Sequence, residues 1–342
     1  WLNSQGVEFF PVKAPGYSHG VKPDGSGLIT ALKEKANELN VEILTDTKAV
    51  SLIKEDGKVS GIRAERENEN IEIYGNSVVL ATGGFAANKD MVEKYRPEYA
   101  DLPVACVETS KGEGIQMAMD VEADVVDMSQ LMPIPTVEIE TERLITAMMR
   151  SASGSSILVN ENAERFADET KLYEPLTQDV LKVLENQEEN YVYQIFDATA
   201  IEEVPIAKNY LKMAVKADSI DQLAEKLDLN TENLKSTVED FNALVEEGRA
   251  DKSGVQLHPL NNAPYYALKV TPGILSSRGG LKINENSQVL NSSGEAIPGL
   301  FAAGETVGGV FGSGYKGGGF FMEAVVTGRI AGIEAAVNSL VD

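Results

Sequence analysis

The sequence predicts an α/β protein in which one domain is interrupted by a second domain. Three observations support this prediction. A short apolar strand, Ser77 to Thr82, leads into Gly83-Gly84, as expected of a buried parallel strand that ends at a ligand. A block from about residue 129 to about residue 270 is rich in Glu, Lys and Asn at helical spacing. After this block the chain returns to short strands and glycine-rich turns.

Local patterns predict the individual elements. Apolar residues spaced by three and four predict a helix over residues 24–39, and a strand should follow at Val41–Leu44. Two alternating strands flank an Asp56-Gly57 turn, with a third strand at Ile71–Tyr74. Ser219 and Gln222 have the spacing of a capping box at the start of a helix. The last part of the chain predicts three short strands and a closing helix, at residues Leu281–Ile283, Gln288–Leu290, Gly299–Ala303 and Phe320–Val337.

Composition limits the class of protein. A chain of 342 residues with 43% hydrophobic and 24% charged residues is long enough for one large or two ordinary domains. Its net charge of -23 disfavours nucleic acid and anionic membrane surfaces as partners. The longest apolar runs fall short of the roughly 20 residues that a membrane span needs. No signal peptide is visible. The compartment stays open, and we favour the cytoplasm.

Cysteine and histidine usage limits the chemistry. The chain has one cysteine, Cys106, and two histidines, His19 and His258. This set excludes an internal disulfide and a Cys/His metal cluster, so we expect no metal site of this kind. Any redox chemistry would therefore come from a bound organic cofactor.

A glycine-rich loop near the end of the chain has three interpretations. Gly312, Gly314 and Gly317 match the pattern G-x-G-x-x-G between a strand and a helix. A dinucleotide fingerprint also needs a second strand with an acidic residue about 20 residues further on, and the chain reaches Asp342 without one. Alternatively, the glycines expose N–H groups at a helix N-terminus to an anionic or electron-rich ligand. The third interpretation is a tight turn for helix–strand packing.

Several motifs together resemble a known family. VVLATGGF at 78–85, TPG at 271–273, and IPGLFAAGE with GRIAG at 297–332 are similar in order and spacing to the fumarate reductase/succinate dehydrogenase flavoprotein family, including flavocytochrome c-like members. The resemblance covers nearly the whole chain. It implies FAD, bound non-covalently, in a FAD/NAD(P)-binding Rossmann-like domain, incomplete at the N-terminus, with an inserted fumarate-reductase-type cap domain.

The resemblance also implies domain boundaries. We expect residues 1–128 to form the first part of the FAD-binding domain, 129–274 the cap, and 275–342 the remaining part of the FAD-binding domain. Because Trp1 leads into VEFFPV without a cap or turn that would begin a domain, we expect the first part to be truncated.

The family pattern suggests cofactor contacts. Glu305 of AAGE would accept hydrogen bonds from ribityl hydroxyls, and its alternative is a surface turn glutamate. Val50 would hold the adenine side through its backbone, and its alternative is an ordinary strand valine. Gly112-Glu113-Gly114 resembles the family's Gly-Asp-Gly flavin contact. The residues expected to bind FAD are Val50, Ala81, Thr82, Gly83, Glu113, Gly304, Glu305, Gly318, Phe320 and Phe321.

The substrate positions differ from the family pattern. Fumarate reductases of this family hold a dicarboxylate with two histidines and an arginine, and a cap arginine donates a proton. When the motifs are matched, Ile134 and Ser276 occupy the positions of the two histidines, and Tyr315 occupies the position of the substrate arginine. The position of the cap arginine lies near Tyr173. Thr146 keeps its residue type. A carboxylate in a closed site needs paired cations, so these changes argue against a dicarboxylate.

Tyr315 suggests a different substrate class. It resembles the tyrosine in the TYPGAG turn of 3-ketosteroid dehydrogenases, with Gly319 at the last glycine. That resemblance implies that the hydroxyl and the glycine N–H polarise a ketone, and a phenol with a reference pKa of about 10 suits an enol better than a carboxylic acid. The alternative is a tyrosine packed beneath the flavin.

The resulting hypothesis is an FAD-dependent oxidoreductase that moves a hydride between flavin N5 and an alkene conjugated to a carbonyl, as in an enone or a ketosteroid-like compound. Tyr315 and Gly319 would hold the carbonyl, and Tyr173 or Arg150 would handle the other proton. The residues expected to contact substrate are Thr146, Ser276 and Arg278.

Two alternatives remain open. The first is a reductase of a monocarboxylate enoate, in which Arg150 or Arg278 pairs with the carboxylate. The second is a non-catalytic binding fragment. An enzyme of this class also needs an electron donor or acceptor, which the missing part of the chain or a partner would carry.

Overall fold

The computed structural model describes residues 1–14, 17–140, 156–203, 208, 210–248, 257–312, 314 and 318–341. The chain divides into two compact units. Unit 1 consists of Trp1–Met91, Thr109–Gln130 and Ser277–Asp342, and unit 2 of Val92–Glu108 and Leu131–Ser276. The boundaries that we expect from the sequence, and the assignment of residues 129–274 as a cap, stay a prediction.

Unit 1 combines short sheets with helices. Strands β1 and β2 form a hairpin, β3-β4-β5 and β14-β15-β6 are three-stranded sheets, and β13 pairs with β7. The strands are β1 Phe9–Ala14, β2 Tyr17–Val21, β3 Thr47–Glu55, β4 Lys58–Arg66, β5 Glu69–Tyr74, β6 Val78–Leu80, β7 Val125–Val126, β13 Gly280–Leu281, β14 Gln288–Leu290 and β15 Ala296–Ala302. The helices that begin in unit 1 are α1 Gly25–Glu38, α2 Lys89–Tyr95, α3 Glu113–Met119 and α8 Gly319–Val341, with 3-10 helices at Leu2–Gln5 and Gly304–Thr306.

The structure confirms the predicted three-stranded meander. Strands β3 and β4 pair in antiparallel register on either side of Asp56 and Gly57, which both adopt positive φ angles of 50° and 84°. Strand β5 extends the sheet by pairing with β4. The Asp-Gly turn therefore sets the register, since a two-residue loop of this kind matches the twist of the strands.

The predicted strand before the ATGG motif is also present and parallel. Strand β6 pairs in parallel register with β15, with Val78 opposite Leu300 and Leu80 opposite Ala302. Leu80 is buried, whereas Val79 is 38% exposed. The strand is therefore only partly covered, unlike the fully buried strand that its apolar run predicts.

The predicted strand at Val41–Leu44 is wrong. These residues form no strand in the structure. The N–H of Val41 donates to the carbonyl of Ala36, and Asn40 adopts a left-handed φ of 57°. This bond closes the C-terminus of α1, so the backbone of Val41 serves as a helix cap. An apolar pattern alone cannot distinguish this use from a strand, because a strand also needs a partner edge.

Gly299 shows how strand β15 packs on the meander. Its φ is 76°, and a side-chain Cβ at this position would overlap the carbonyl oxygen of Val59 in β4. Only glycine combines this backbone angle with the close approach of the two chains. Val59 itself is fully buried at this contact.

Unit 2 is built on a five-stranded sheet. Its strand order is β11-β12-β10-β9, and β8 also pairs with β12. The strands are β8 Leu131–Glu138, β9 Ser156–Val159, β10 Val192–Phe196, β11 Val215–Ala217 and β12 Tyr265–Ser277. The helices in the described part of this unit are α4 Tyr173–Leu184, α5 Ala198–Glu203, α6 Ile220–Leu227 and α7 Thr231–Glu246, with a 3-10 helix at Pro97–Tyr99.

Helices cover both faces of the unit 2 sheet. Along β10 the residues alternate, so that Val192 and Phe196 join a core with α4 while Tyr193 and Ile195 join a core with α6 and α7. All five residues of β10 are buried. Because successive side chains point to opposite faces and each face is covered, every residue of the strand is buried, including the polar Gln194.

The predicted capping of α6 is confirmed. The side chain of Ser219 accepts a hydrogen bond from the N–H of Gln222 at 3.2 Å. The Gln222 side chain accepts from the N–H of Asp218 at 3.3 Å, one residue earlier than in the usual capping box. None of the helices in the described ranges combines the length and apolar character that crossing a bilayer requires.

Two glycine substitutions test the packing of β15 on β4. Gly294 and Gly299 have similar positive φ angles of 80° and 76°, but only Gly299 faces a close contact, since a Cβ at Gly294 meets nothing within 4 Å. Gly294→Ala should therefore lower the free energy of unfolding by about 1–2 kcal/mol through backbone strain alone. Gly299→Ala should lower it by about 3 kcal/mol or more, because overlap is added to strain. Urea unfolding measures both, and equal losses would contradict this account of the packing.

Candidate active site

The candidate site lies in unit 1, where the ATGG turn after β6 meets Ser277 and Glu305. Gly84 is buried at this junction, and a Cβ there would overlap both Ser277 Oγ and Glu305 Oε1. The absence of a side chain at Gly84 is therefore a condition for the approach of these two polar groups.

Hydrogen bonds fix the two polar groups. The N–H of Ser277 donates to Glu305 Oε1 at 3.0 Å, and the N–H of Phe85 donates to Ser277 Oγ at 3.1 Å. Ser277 is 1% exposed, while Glu305 is only partly buried. The Glu305 carboxylate is thus held by the backbone while part of it stays accessible, as a ligand-binding carboxylate requires.

Threonine hydroxyls support the same turn. Thr306 is fully buried, its Oγ1 donates to the carbonyl oxygen of Gly83 at 3.3 Å, and it lies 3.4 Å from Thr82 Oγ1. Thr82 and the preceding Ala81 are exposed. The turn that contains the predicted contacts Ala81, Thr82 and Gly83 is therefore bonded to Thr306, the residue that follows the AAGE motif.

Helix α8 is fastened to the AAGE motif. The N–H of Gly304 donates to Thr327 Oγ1 at 2.8 Å, and Thr327 Oγ1 donates to the carbonyl oxygen of Glu323 at 2.6 Å. Glu323 and Glu305 are thereby held near each other, although they belong to different elements.

Glu323 is a carboxyl group in an apolar setting. It is 6% exposed, and its Oε1 has no hydrogen-bond partner within the described part of the chain. Burial, and then the nearby charge of Glu305, raise the pKa of Glu323 to about 8. Glu323 is therefore largely neutral at pH 7, and a neutral carboxyl group can donate a hydrogen bond.

Two other predicted cofactor contacts lie on neighbouring elements of unit 1. The ladder between β3 and β4 shifts register at Val50, which stands between the paired residues Ala49 and Ser51 and is 39% exposed. Such a bulged residue can offer its backbone groups to a ligand. Glu113 begins α3 and forms a 2.9 Å ion pair with Lys48, which raises the pKa of Lys48.

Phe320 and Phe321, the predicted aromatic contacts at the start of α8, lie among apolar residues. Phe320 makes an edge contact with Phe311 at a ring-centroid distance of 4.9 Å. Phe321 lines an open cavity of about 640 Å³, together with Leu28, Leu32 and other apolar residues. Gly318, Gly319, Phe320 and Phe321 are all partly buried.

The substrate candidates are divided between the units. Ser276 is 4% exposed and belongs to unit 2, as do Ile134, which is fully buried, and Tyr173, the first residue of α4. Arg278 is 4% exposed and belongs to unit 1. Its backbone N–H donates to the backbone carbonyl of Gln130 at 2.7 Å. The predicted residues Thr146, Arg150 and Tyr315 lie outside the described residues.

Two residues of this site, Ser277 and Glu323, are not predicted from the sequence. Ser277 follows the serine that motif matching singled out, and Glu323 lies in the otherwise apolar run FFMEAVV. A lone carboxylate in such a run is an available signal, because a buried carboxyl group is rare unless it has a role. For Ser277 the sequence offers no signal that separates it from Ser276.

The raised pKa of Glu323 predicts a pH-dependent stability. Between the ordinary value of 4.5 and about 8, the unfolded chain has released the proton while the folded chain keeps it. The free energy of unfolding should therefore fall as pH rises through this window and level off above it. Glu323→Gln cannot ionise, so its melting temperature should exceed that of the wild type by on the order of 5 °C at about pH 9 and by much less at about pH 5. Glu334→Gln, on the same helix, is the control, and an equal gain at both pH values would contradict the prediction.

Comparison with known proteins shows the family and the fold of this chain. A family model described as FAD binding domain matches residues 12–322. A probable fumarate reductase of Shewanella frigidimarina (strain NCIMB 400) is 33% identical over 99% of this chain, and this chain spans 59% of that protein. The solved structure of an open flavocytochrome c3 fumarate reductase aligns with a TM-score of 0.83 at 32% identity, covering 99% of this chain and 62% of the other.

A ketosteroid enzyme has a similar structure. The 3-ketosteroid-Δ4-(5α)-dehydrogenase of Rhodococcus jostii RHA1, solved with 4-androstene-3,17-dione, aligns with a TM-score of 0.71 at 28% identity, covering 98% of this chain and 77% of the other. The predicted α/β fold class with an FAD-type domain is confirmed. The chain belongs to the FAD binding domain family, and its relatives include fumarate reductases and related flavoproteins.

Proposed function

We propose that the protein is an FAD-dependent oxidoreductase that acts on an alkene conjugated to a carbonyl group. The observation that carries the proposal is the junction of Gly84, Ser277 and Glu305 at the end of β6. This junction fits the cofactor, because it joins an accessible carboxylate acceptor to a turn without side-chain bulk. The buried Glu323 Oε1, which has no hydrogen-bond partner among the described residues, also fits a polar ligand.

Binding is proposed to be non-covalent, through hydrogen bonds of this kind. When bound, FAD supplies hydride transfer at flavin N5. The protein's own residues must then hold the substrate carbonyl and move the second proton.

The residues proposed to polarise the carbonyl are Tyr315 and Gly319. Gly319 is the first residue of α8, and the first N–H groups of a helix have no partner within that helix. They can donate to a developing enolate oxygen, and so can a tyrosine hydroxyl. Tyr173 or Arg150 is proposed to handle the other proton.

The substrate is proposed to carry little charge. Ile134 is fully buried and Ser276 nearly so, and neither side chain brings the positive charge that a dicarboxylate would need at these positions. The relatives known as fumarate reductases therefore suggest the reaction type, and the ketosteroid enzyme suggests the substrate class.

A monocarboxylate enoate is the alternative substrate. Arg278 supports it, because a buried guanidinium group suits one carboxylate. In that case Arg150 or Arg278 would pair with the substrate, and Tyr315 would have a packing role. The electron donor or acceptor is proposed to be a further segment or a partner protein, and the cytoplasm is the proposed compartment.

The proposal is tested with the complete product of the gene. An absorption spectrum should show a flavin, and a reduced dye should then donate electrons in a screen of enones, enoates and fumarate. We expect turnover of enones and little turnover of fumarate. Brisk turnover of a monocarboxylate would favour the alternative, and a protein without flavin would favour a non-catalytic binding role.

Substitution of Tyr315 tests its role in catalysis. Tyr315→Phe removes one donor to the carbonyl while it keeps the ring, so turnover should fall on the order of 100-fold or more. FAD binding should barely change. Steady-state kinetics with the best substrate of the screen measures the effect, and Tyr74→Phe, an exposed position in β5, is the control. A wild-type rate in the Tyr315→Phe variant would leave Tyr315 as a packing residue.

A further inference from the structure

Glu323 is a buried carboxyl group that the proposed reaction does not use. It is the fifth residue of α8, is 6% exposed, and its Oε1 has no hydrogen-bond partner in the ranges that the structure describes. A buried polar atom without a partner is costly to fold, so its presence in a native protein needs an explanation. A ligand that supplies the missing partner is such an explanation.

The surroundings of Glu323 identify the neighbouring polar group. Helix α8 packs against β6, β15 and the 3-10 helix Gly304–Thr306. The two strands carry no titratable side chain, and the 3-10 helix carries Glu305. The hydroxyl of Thr327 donates to the backbone carbonyl of Glu323 and accepts from the N–H of Gly304. The backbone at Glu323 is therefore tied to the backbone next to Glu305.

Trp1 and helix α1 also adjoin α8. Arg329, on the same helix, lies over the ring of Trp1 at 5.1 Å. Helix α1 meets α8 through a cavity lined by Leu28 and Leu32. Among the residues that the structure describes, Glu305 is the charged side chain that acts on Glu323, and it disfavours a second negative charge there.

We infer that Glu323 is a second cofactor-binding carboxyl group, whose neutral form hydrogen-bonds one hydroxyl of the FAD ribityl chain while the Glu305 carboxylate binds a neighbouring hydroxyl. This inference rests on the proposed function. An ionised carboxylate only accepts hydrogen bonds, whereas a neutral carboxyl group both donates and accepts. The pair therefore matches a chain of adjacent hydroxyls, each of which is a donor and an acceptor.

The pairing makes cofactor affinity depend on pH. Because the neutral form of Glu323 binds, affinity should be constant below the pKa of this group and should fall above it. With a pKa of about 8, the Kd for FAD should rise about tenfold between about pH 7 and about pH 9. The rise comes from the cost of returning a proton to Glu323 before FAD binds.

The test uses the complete product of the gene, freed of flavin and titrated with FAD by flavin fluorescence. Glu323→Gln keeps a neutral donor and acceptor, so its Kd should be the same at both pH values. Glu323→Leu removes both groups, so its Kd should be about 5- to 10-fold higher than that of the wild type at about pH 7. Glu334→Gln should keep the wild-type pH dependence.

The outcomes separate this inference from the proposed function. If Glu323→Gln keeps the wild-type pH dependence, or if Glu323→Leu binds FAD as tightly as the wild type, the inference is wrong and the proposed function stands. A wild-type protein that binds no FAD at either pH would overturn both. Circular dichroism checks that each variant folds, and if Glu323→Leu does not fold, the pH profile of Glu323→Gln decides.

Discussion

The hydrogen bond from the Ser277 backbone to Glu305 links two segments of unit 1 around Gly84. Ser277 in turn accepts from the N–H of Phe85, which ties the same point to the turn after β6. Each partner is placed by a different element, so the position of the Glu305 carboxylate depends on all of them. A side chain at Gly84 would push this junction apart, and the proposed cofactor site would lose its central acceptor.

Sequence patterns predicted correctly the turn and the helix start that depend on interactions between residues close together in the sequence. The Asp56-Gly57 turn fixes the meander, and Ser219 fixes the start of α6, because turn and capping residues act within a few positions of the chain. The segment Val41–Leu44 was predicted wrongly, since a strand requires a partner edge that only the tertiary structure supplies. The N–H of Val41 instead caps the end of α1, and the apolar side chains Val41, Ile43 and Leu44 are exposed.

The candidate site could likewise be predicted only where it depends on residues that are neighbours in the sequence. AAGE and ATGG are each short unbroken stretches of sequence, so their residues could be predicted as cofactor contacts from the sequence. The roles of Ser277 and Glu323 depend on contacts between distant segments, and burial decides them. A carboxyl group that stays neutral near pH 7 cannot be recognised from its residue type, because the sequence does not state its solvation. The exchange of charged for uncharged residues at Ile134 and Ser276 could be recognised only against a family pattern.

The parallel pairing of β6 with β15 joins Val78 to Leu300, so about 220 residues must be synthesised between the two strands. At roughly 5–20 residues per second, the ribosome needs roughly 10–45 s for that stretch. During this time Leu80, which the finished protein buries, has no β15 to pair with, while the segments of unit 2 have already emerged. The nascent chain thus carries an apolar strand without its partner for many seconds, and exposure of this kind is what chaperones cover during translation.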